Sequence, residues 1–293
     1  MSTIEKALAK RNAKGNSDSE SVESKSSIEA AQEKTENSQP AKKSSVITAK
    51  DLLLEIDIES LESRGYLIDN GTRKSIKDEF RQIKRKLFNN AFGPASKTLK
   101  NSNLVMVSSS TPNEGKTFVA INLALSIALE QDKTVLLVDS DVLRPSISRE
   151  LGLDHNSGLI EYLLGEKEQV NEIIYGTNIP NLKLIPAGNP HHLSNELLAS
   201  GRMANLTEEL AKRYPDRVVI FDSPPLIGVT ETPVVASLMG QALIVVEESK
   251  TRIENVQAAT ENLNEDLAVG IVVNKAIRSH KDMYGYYGYG YGK

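Results

Sequence analysis

Residues able to do chemistry gather at three places in the sequence. The first is Ser108-Ser109-Ser110-Thr111-Pro112-Asn113-Glu114-Gly115-Lys116-Thr117. A small polar turn leads into Gly-Lys-Thr, which opens an apolar run from Phe118 to Leu129. This is the pattern of a phosphate-binding loop. Backbone N–H groups at the loop and the helix N-terminus face an anion, Lys116 bridges the outer phosphates, and Thr117 offers its hydroxyl to Mg²⁺. Pro112, Asn113, Glu114, Gly115, Lys116, Thr117 and Phe118 are therefore the candidate nucleotide contacts. The usual first Gly is missing, and Ser110 stands in its place. Gly-Lys-Thr alone can be a chance helix cap, so the case rests on its neighbours.

The second place is a pair of strand ends. Val135-Leu136-Leu137-Val138-Asp139-Ser140-Asp141 ends an apolar run in two acids, and Val218-Val219-Ile220-Phe221-Asp222-Ser223-Pro224-Pro225 ends another in one. Ligands of open parallel sheets bind outside the C-terminal strand ends. One such acid is as readily a cap for the next helix. Three beside a phosphate loop make a Mg-nucleotide site. Asn274-Lys275-Ala276-Ile277 follows the last apolar run. A GTP-binding protein would carry Asp where Ile277 stands, so ATP is favoured, with Asn274 as the candidate adenine contact.

The third place is the C-terminal run. Tyr284, Tyr286, Tyr287, Tyr289 and Tyr291 are separated by Gly285, Gly288, Gly290 and Gly292. Gly-rich chain is flexible, so several tyrosines can reach one site in turn. Taken alone, the run reads equally as a low-complexity tail without chemistry.

The elements that position these residues are legible from apolar patterning. Leu104–Val107 reads as a buried strand feeding the loop. Strands are also predicted at 135–139, 182–186, 218–222, 242–246 and 269–273. Helices are predicted over 75–89, with Ile76, Phe80, Ile83, Leu87 and Phe88 on one side, and over 197–214 and 253–263; residues 160–164 lie in another. Continuous apolar strands separated by amphipathic helices indicate an α/β fold, a mostly parallel sheet covered on both faces. Residues 51–63 read as a short helix ended by Arg64-Gly65-Tyr66, Asp69-Asn70-Gly71 as a turn, and Gly93-Pro94 as a helix break. The division predicted is a disordered segment 1–45 carrying a short stripe of Ile4, Ala7 and Leu8, a helical extension 46–95, a P-loop domain 96–280, and the tail 281–293. Asp78, Arg81 and Lys84 recur every third residue on the 75–89 helix, a spacing an ordinary solvated face also shows.

Composition narrows the function. The 293 residues include no Cys and no Trp, and the net charge is −4. Disulfide and Cys-metal chemistry are excluded, and nucleic acid is disfavoured as a partner. No apolar run reaches membrane-span length, and Met1–Gly15 is too charged for a signal peptide, so a cytoplasmic location is expected. His191-His192 read as surface loop residues.

Ser109–Thr117, Asp139-Ser140-Asp141, Phe221-Asp222-Ser223-Pro224-Pro225 and the Tyr cluster together resemble the bacterial tyrosine kinases, P-loop NTPase-fold autokinases that regulate capsule and exopolysaccharide export. The resemblance covers roughly residues 75–293. Met1–Arg11 and Ile56–Arg85 resemble the subgroup linked to exosortase loci, in which the kinase is a separate soluble chain. The resemblance implies autophosphorylation of the tail in trans with ATP and Mg²⁺. Lys116 would hold the β- and γ-phosphates, and Thr117, Asp141 and Asp222 would hold Mg²⁺. Asp139 would act as base toward the incoming hydroxyl. Asp78, Arg81 and Lys84 would match the helix that joins protomers into a homo-oligomer. It also implies a membrane polysaccharide co-polymerase as activator, recruitment to the inner face of the plasma membrane, and a cognate tyrosine phosphatase. Three residues depart from the pattern. Asn113 replaces a Gly and would need the left-handed conformation. Lys84 replaces an Arg and pairs less well with a carboxylate. Arg144 lies one residue later than the usual Arg. The rivals are a partitioning-type ATPase switch, whose signature Lys is missing at Thr111, and a non-catalytic nucleotide-binding co-polymerase subunit.

Overall fold

A computed structural model describes residues 53–68, 74–153 and 156–277, all within one compact unit, Val46–Lys293. The readings made for 1–45, for Asp69-Asn70-Gly71 and for the Tyr tail lie outside the described residues. In chain order the elements are β1 (Leu53–Leu54), α1 (Ile58–Ser63), α2 (Lys74–Phe92), β2 (Leu104–Ser109), α3 (Lys116–Ala128), β3 (Thr134–Asp139), α4 (Ile147–Leu151), α5 (Leu159–Leu164), β4 (Tyr175–Thr177), β5 (Leu182–Ile185), α6 (Ser194–Leu198), α7 (Gly201–Arg213), β6 (Arg217–Asp222), α8 (Thr232–Ala236), β7 (Gln241–Glu247), α9 (Ile253–Glu261) and β8 (Ala268–Asn274). Short 3₁₀ turns lie at Pro94–Lys97 and Val170–Glu172.

One eight-stranded sheet runs in the order β1-β4-β5-β3-β6-β2-β7-β8. Every pair is parallel except β4 with β5. Side chains alternate across a strand, so each buried strand feeds two cores. Val105, Val107, Val135, Leu137, Val218 and Ile220 face one, under α3 and α2. Leu104, Met106, Leu136, Val138, Val219 and Phe221 face the other, under α5 and α7. Helix α3 is buried continuously from Val119 to Ala128. Apolar residues all round are what a helix between a sheet and a second helix requires.

The α/β architecture agrees with the sequence reading, and the differences have local causes. Residues 53–54 are a strand rather than helix: Leu53 and Leu54 pair with Gly176 and Thr177, and α1 begins only after Asp57, whose carboxylate caps Ser60 N–H at 2.9 Å. The single helix predicted over 197–214 is two, because the Ser200 hydroxyl caps Met203 N–H and starts α7 afresh. Helix α2 stops at Phe92, ahead of Gly93-Pro94. Among the described residues no helix is long and apolar enough to cross a membrane.

The Asp78, Arg81, Lys84 row is not one solvated face. On a helix of 3.6 residues per turn each three-residue step drifts by about 60°. Asp78 and Arg81 pair at 2.7 Å on the surface, but Lys84 turns inward and is 7% exposed. Its ammonium donates to the Ser126 carbonyl at 2.8 Å and pairs with Glu130, tying α2 to the end of α3. Lys84→Met should therefore lower the free energy of unfolding by about 1–3 kcal/mol, the cost of leaving a buried acceptor without its donor. Arg81→Ala should change it by less than about 1 kcal/mol. Urea titration of both variants checks the contrast.

Candidate nucleotide site

The phosphate loop spans the gap between β2 and α3, and two of its residues are left-handed. Gly115 has φ 96°, and a Cβ there would lie 2.1 Å from Asn274 Nδ2. Asn113 has φ 70°, the conformation its place in the loop led us to expect. Glu114 does not face the cleft. It is 3% exposed, and its carboxylate accepts from Ser110 Oγ at 2.8 and 2.9 Å, from Thr111 N–H at 2.8 Å, and from Thr251 Oγ1. The serine that stands where Gly is usual is thus one donor to a buried carboxylate inside the loop. Asn274 Nδ2 donates to the Glu114 carbonyl at 2.9 Å, so its amide is engaged with the loop backbone.

Below the loop the two acidic strand ends meet. Strands β3 and β6 are neighbours, and their register sets Asp139 beside Asp222. Lys116 Nζ lies 2.9 Å from Asp141 Oδ2 and 3.2 Å from Asp222 Oδ1. Thr117 Oγ1 donates to Asp222 Oδ2 at 2.6 Å and lies 3.0 Å from Ser146 Oγ. Asp139 is fully buried, with Oδ2 accepting from Ile147 N–H at 3.0 Å and Oδ1 without a partner. Ser140 Oγ and Ser223 Oγ lie 2.9 Å apart, and Ser140 also donates to the Asp222 carbonyl. Both serines directly follow a strand-end acid, a signal the sequence reading left unused.

The electrostatics follow from burial. Desolvation alone would lower the Lys116 ammonium, but the charges of Asp222 and Asp141 outweigh it and the net shift is upward. Burial pushes Asp139 well above the usual carboxylate range, aided by the charge of Asp222. Asp222 is raised by burial too, against the pull of Lys116 and Thr117. The hydroxyl and carboxylate oxygens of Thr117, Asp141 and Asp222 are the hard donors a Mg²⁺ ion takes, and the unpartnered oxygen of Asp139 lies at the same strand ends.

An open cleft of about 1120 Å³ lies in front of these groups, roomy enough for a nucleotide. Arg144 lines it, its backbone N–H accepted by Asp141 Oδ1 at 3.2 Å. Sequence reasoning missed another part of the cleft's lining. Arg64 and Tyr66 reach Glu150 of α4, Tyr66 OH donating to Oε2 at 3.0 Å and Arg64 Nη1 lying 3.2 Å from the same oxygen. The Tyr66 ring packs on Phe118 at 5.2 Å, and burial together with the Glu150 bond raises its phenol above the ordinary range. Nothing local in Arg64-Gly65-Tyr66 beyond a helix end announces this role. Lys116, Thr117, Asp139, Asp141, Asp222 and Asn274 are brought together; Asp78, Arg81 and Lys84 sit on α2, outside the lining of the cleft.

Residues 102–269 match the family described as an AAA domain. The chain is 33% identical over 173 residues to the tyrosine-protein kinase ptk of Acinetobacter johnsonii, covering 59% of this chain and 23% of that one. It is 32% identical over 186 residues to the tyrosine-protein kinase YwqD of Bacillus subtilis, covering 63% of this chain and 77% of that one. The chain thus spans about a quarter of the first relative's length and about three quarters of the second's. Among solved structures, the kinase domain of the Escherichia coli tyrosine kinase ETK superposes with a TM-score of 0.59 at 25% identity, over 81% of this chain and 94% of that one.

The raised carboxylates have a consequence for stability. Asp139 gives up its proton at higher pH in the folded protein than in the unfolded chain, so this site's contribution is complete below its ordinary value of 3.8 and declines as pH rises toward the raised folded value. Asp139→Asn removes that term. In nucleotide-free protein the melting temperature of Asp139→Asn, relative to wild type, should climb as pH is raised from about 4 to 8. Thermal melts across that range check it; a difference that is flat or falls with pH contradicts the assignment.

Proposed function

On the premise that the chain belongs to the AAA-domain family, and within it to the bacterial tyrosine-protein kinases, we propose that it is an ATP-dependent protein-tyrosine autokinase acting on its own C-terminal tyrosines. The observation that carries this reading is Lys116 held between Asp141 and Asp222, with Thr117 bonded to the same Asp222. It is a phosphate-loop lysine waiting on carboxylates for a more strongly charged partner.

Phosphoryl transfer asks a protein chiefly for positioning and charge stabilisation. A triphosphate in the cleft draws Lys116 off the carboxylates onto its outer oxygens, and the loop N–H groups take the remaining phosphate charge. Thr117, Asp141 and Asp222 would hold Mg²⁺, which when bound neutralises charge on the transferring group. The acceptor phenol oxygen then forms its bond to the γ-phosphorus as the bond to the bridging oxygen breaks. ADP leaves, and the phenolic proton passes to a carboxylate. Asp139 is the candidate for that proton, through its unpartnered oxygen.

The acceptors in this reading are Tyr284, Tyr286, Tyr287, Tyr289 and Tyr291, presented by a second copy of the chain. With Lys84 engaged inside its own protomer, Asp78 and Arg81 are the members of the α2 row available to a neighbour. The wider setting we propose is regulation of exopolysaccharide export. The kinase would be recruited to the inner membrane face by a polysaccharide co-polymerase and reset by a tyrosine phosphatase.

Purified protein with Mg-ATP should form phosphotyrosine, and Lys116→Met should stay folded and form none. Changing the five tail tyrosines to Phe should remove most of the label while nucleotide binding persists. Labelling of Lys116→Met at the wild-type rate, or mass spectrometry placing the phosphate chiefly on Tyr66, Tyr162, Tyr175 or Tyr214, would overturn the assignment.

A further inference from the structure

The chain that leaves the last strand reaches back to the phosphate loop. Asn274, the final residue of β8, donates to the Glu114 carbonyl at 2.9 Å. Lys275, the next residue, is itself left-handed at φ 56°. Its ammonium donates to the Asn113 carbonyl at 2.7 Å and to Glu247 Oε2 at 2.9 Å. Two consecutive residues therefore hold two consecutive loop carbonyls.

A trans peptide is planar, and its C=O and N–H point in opposite directions. Fixing the Asn113 carbonyl toward Lys275 turns the Glu114 N–H the other way. Fixing the Glu114 carbonyl toward Asn274 does the same for the Gly115 N–H. Backbone N–H groups of this loop are what a phosphate meets. Asn113 and Gly115 both sit at positive φ, so the bonds from Lys275 and Asn274 fall on a left-handed stretch of the loop. The carboxylate of Glu114 is bonded to Ser110, Thr111 and Thr251, and none of these bonds is to either of the two peptides.

We propose that Lys275 is a positioning residue for the nucleotide: by holding the Asn113 carbonyl it aims the Glu114 N–H into the cleft. The proposal rests on the nucleotide-site reading and deepens it. Asn274 then serves the loop backbone rather than the adenine. Lys275 never meets substrate; its effect runs entirely through the peptide it orients. A plain surface ion pair with Glu247 would be worth little and would not distinguish Lys275 from Lys250, which pairs with the same carboxylate at 3.1 Å and is 69% exposed.

Lys250 is accordingly the control. Affinity for Mg-ADP is measured by titration calorimetry on the full chain, which needs no kinase activity. Lys275→Met should weaken it about tenfold, the value of one hydrogen bond from a charged donor. Lys275→Arg, which keeps a charged donor, should recover most of it. Lys250→Met should bind as wild type does. In the kinase assay Lys275→Met should raise KM for ATP and leave kcat at saturating ATP nearly unchanged, the mark of lost ground-state binding. Equal weakening in Lys250→Met and Lys275→Met, unaltered affinity in Lys275→Met, or failure of Lys275→Arg to improve on it would each overturn the proposal. If wild type binds Mg-ADP but forms no phosphotyrosine, the kinase reading fails and the affinities still decide the role of Lys275.

Discussion

Carboxylates buried together at the ends of two adjacent parallel strands are stabilised by a cation held among them. Register places Asp139 beside Asp222, and Asp141 lies two residues on. In a dry interior their mutual repulsion and their loss of water both oppose ionisation. Lys116 answers two of the three by direct contact, and burial raises the third, Asp139. The same ammonium has to be available to phosphates, so the site is stable through an interaction that the proposed reaction must break. Two-sided burial of β2, β3 and β6, the buried length of α3 and the serine bridge between strand ends hold that arrangement against relaxation.

The loop above it has a different economy from the common phosphate loop. With Ser110 in place of the first Gly, backbone freedom is lost at one end and replaced by a buried side-chain network centred on Glu114. The two left-handed positions of the loop are Asn113 and Gly115. Charge-assisted bonds to a buried carboxylate are stronger than neutral ones, so the network favours a single loop shape. The clamp from Asn274 and Lys275 supplies what that network leaves open.

How much of this was legible in the sequence depends on how local the cause is. Apolar runs announced β2, β3, β6 and β7 because a strand buried on both faces has no other composition; β8 carries the same kind of run although it exposes Val269, Ile271 and Val273 on one face. Gly115-Lys116-Thr117 and the acidic strand ends announced the site because their chemistry is written in adjacent residues. The strand at Leu53–Leu54 was missed because two residues carry no period, and its partner lies more than a hundred positions away. Lys84 was assigned to a surface row because type and spacing ignore the drift of a helix, and the carbonyl it meets belongs to α3. Arg64 and Tyr66 belong to the cleft because the chain after α1 meets Glu150 of α4, a fact of packing that no short motif encodes.

The clamp also sets the order in which the site is completed. Lys275 is 162 residues further along the chain than the carbonyl it holds. At translation rates of about 5–20 residues per second, the loop waits about 8–32 s on the ribosome for its last constraint. The central strand β2 waits nearly as long, since both its neighbours, β6 and β7, come from more than a hundred residues downstream. A nascent chain therefore displays its phosphate-loop sequence early but holds the finished loop only when the sheet is closed. On the proposed reading, capture of nucleotide falls late in biosynthesis, once the chain has been made through β8.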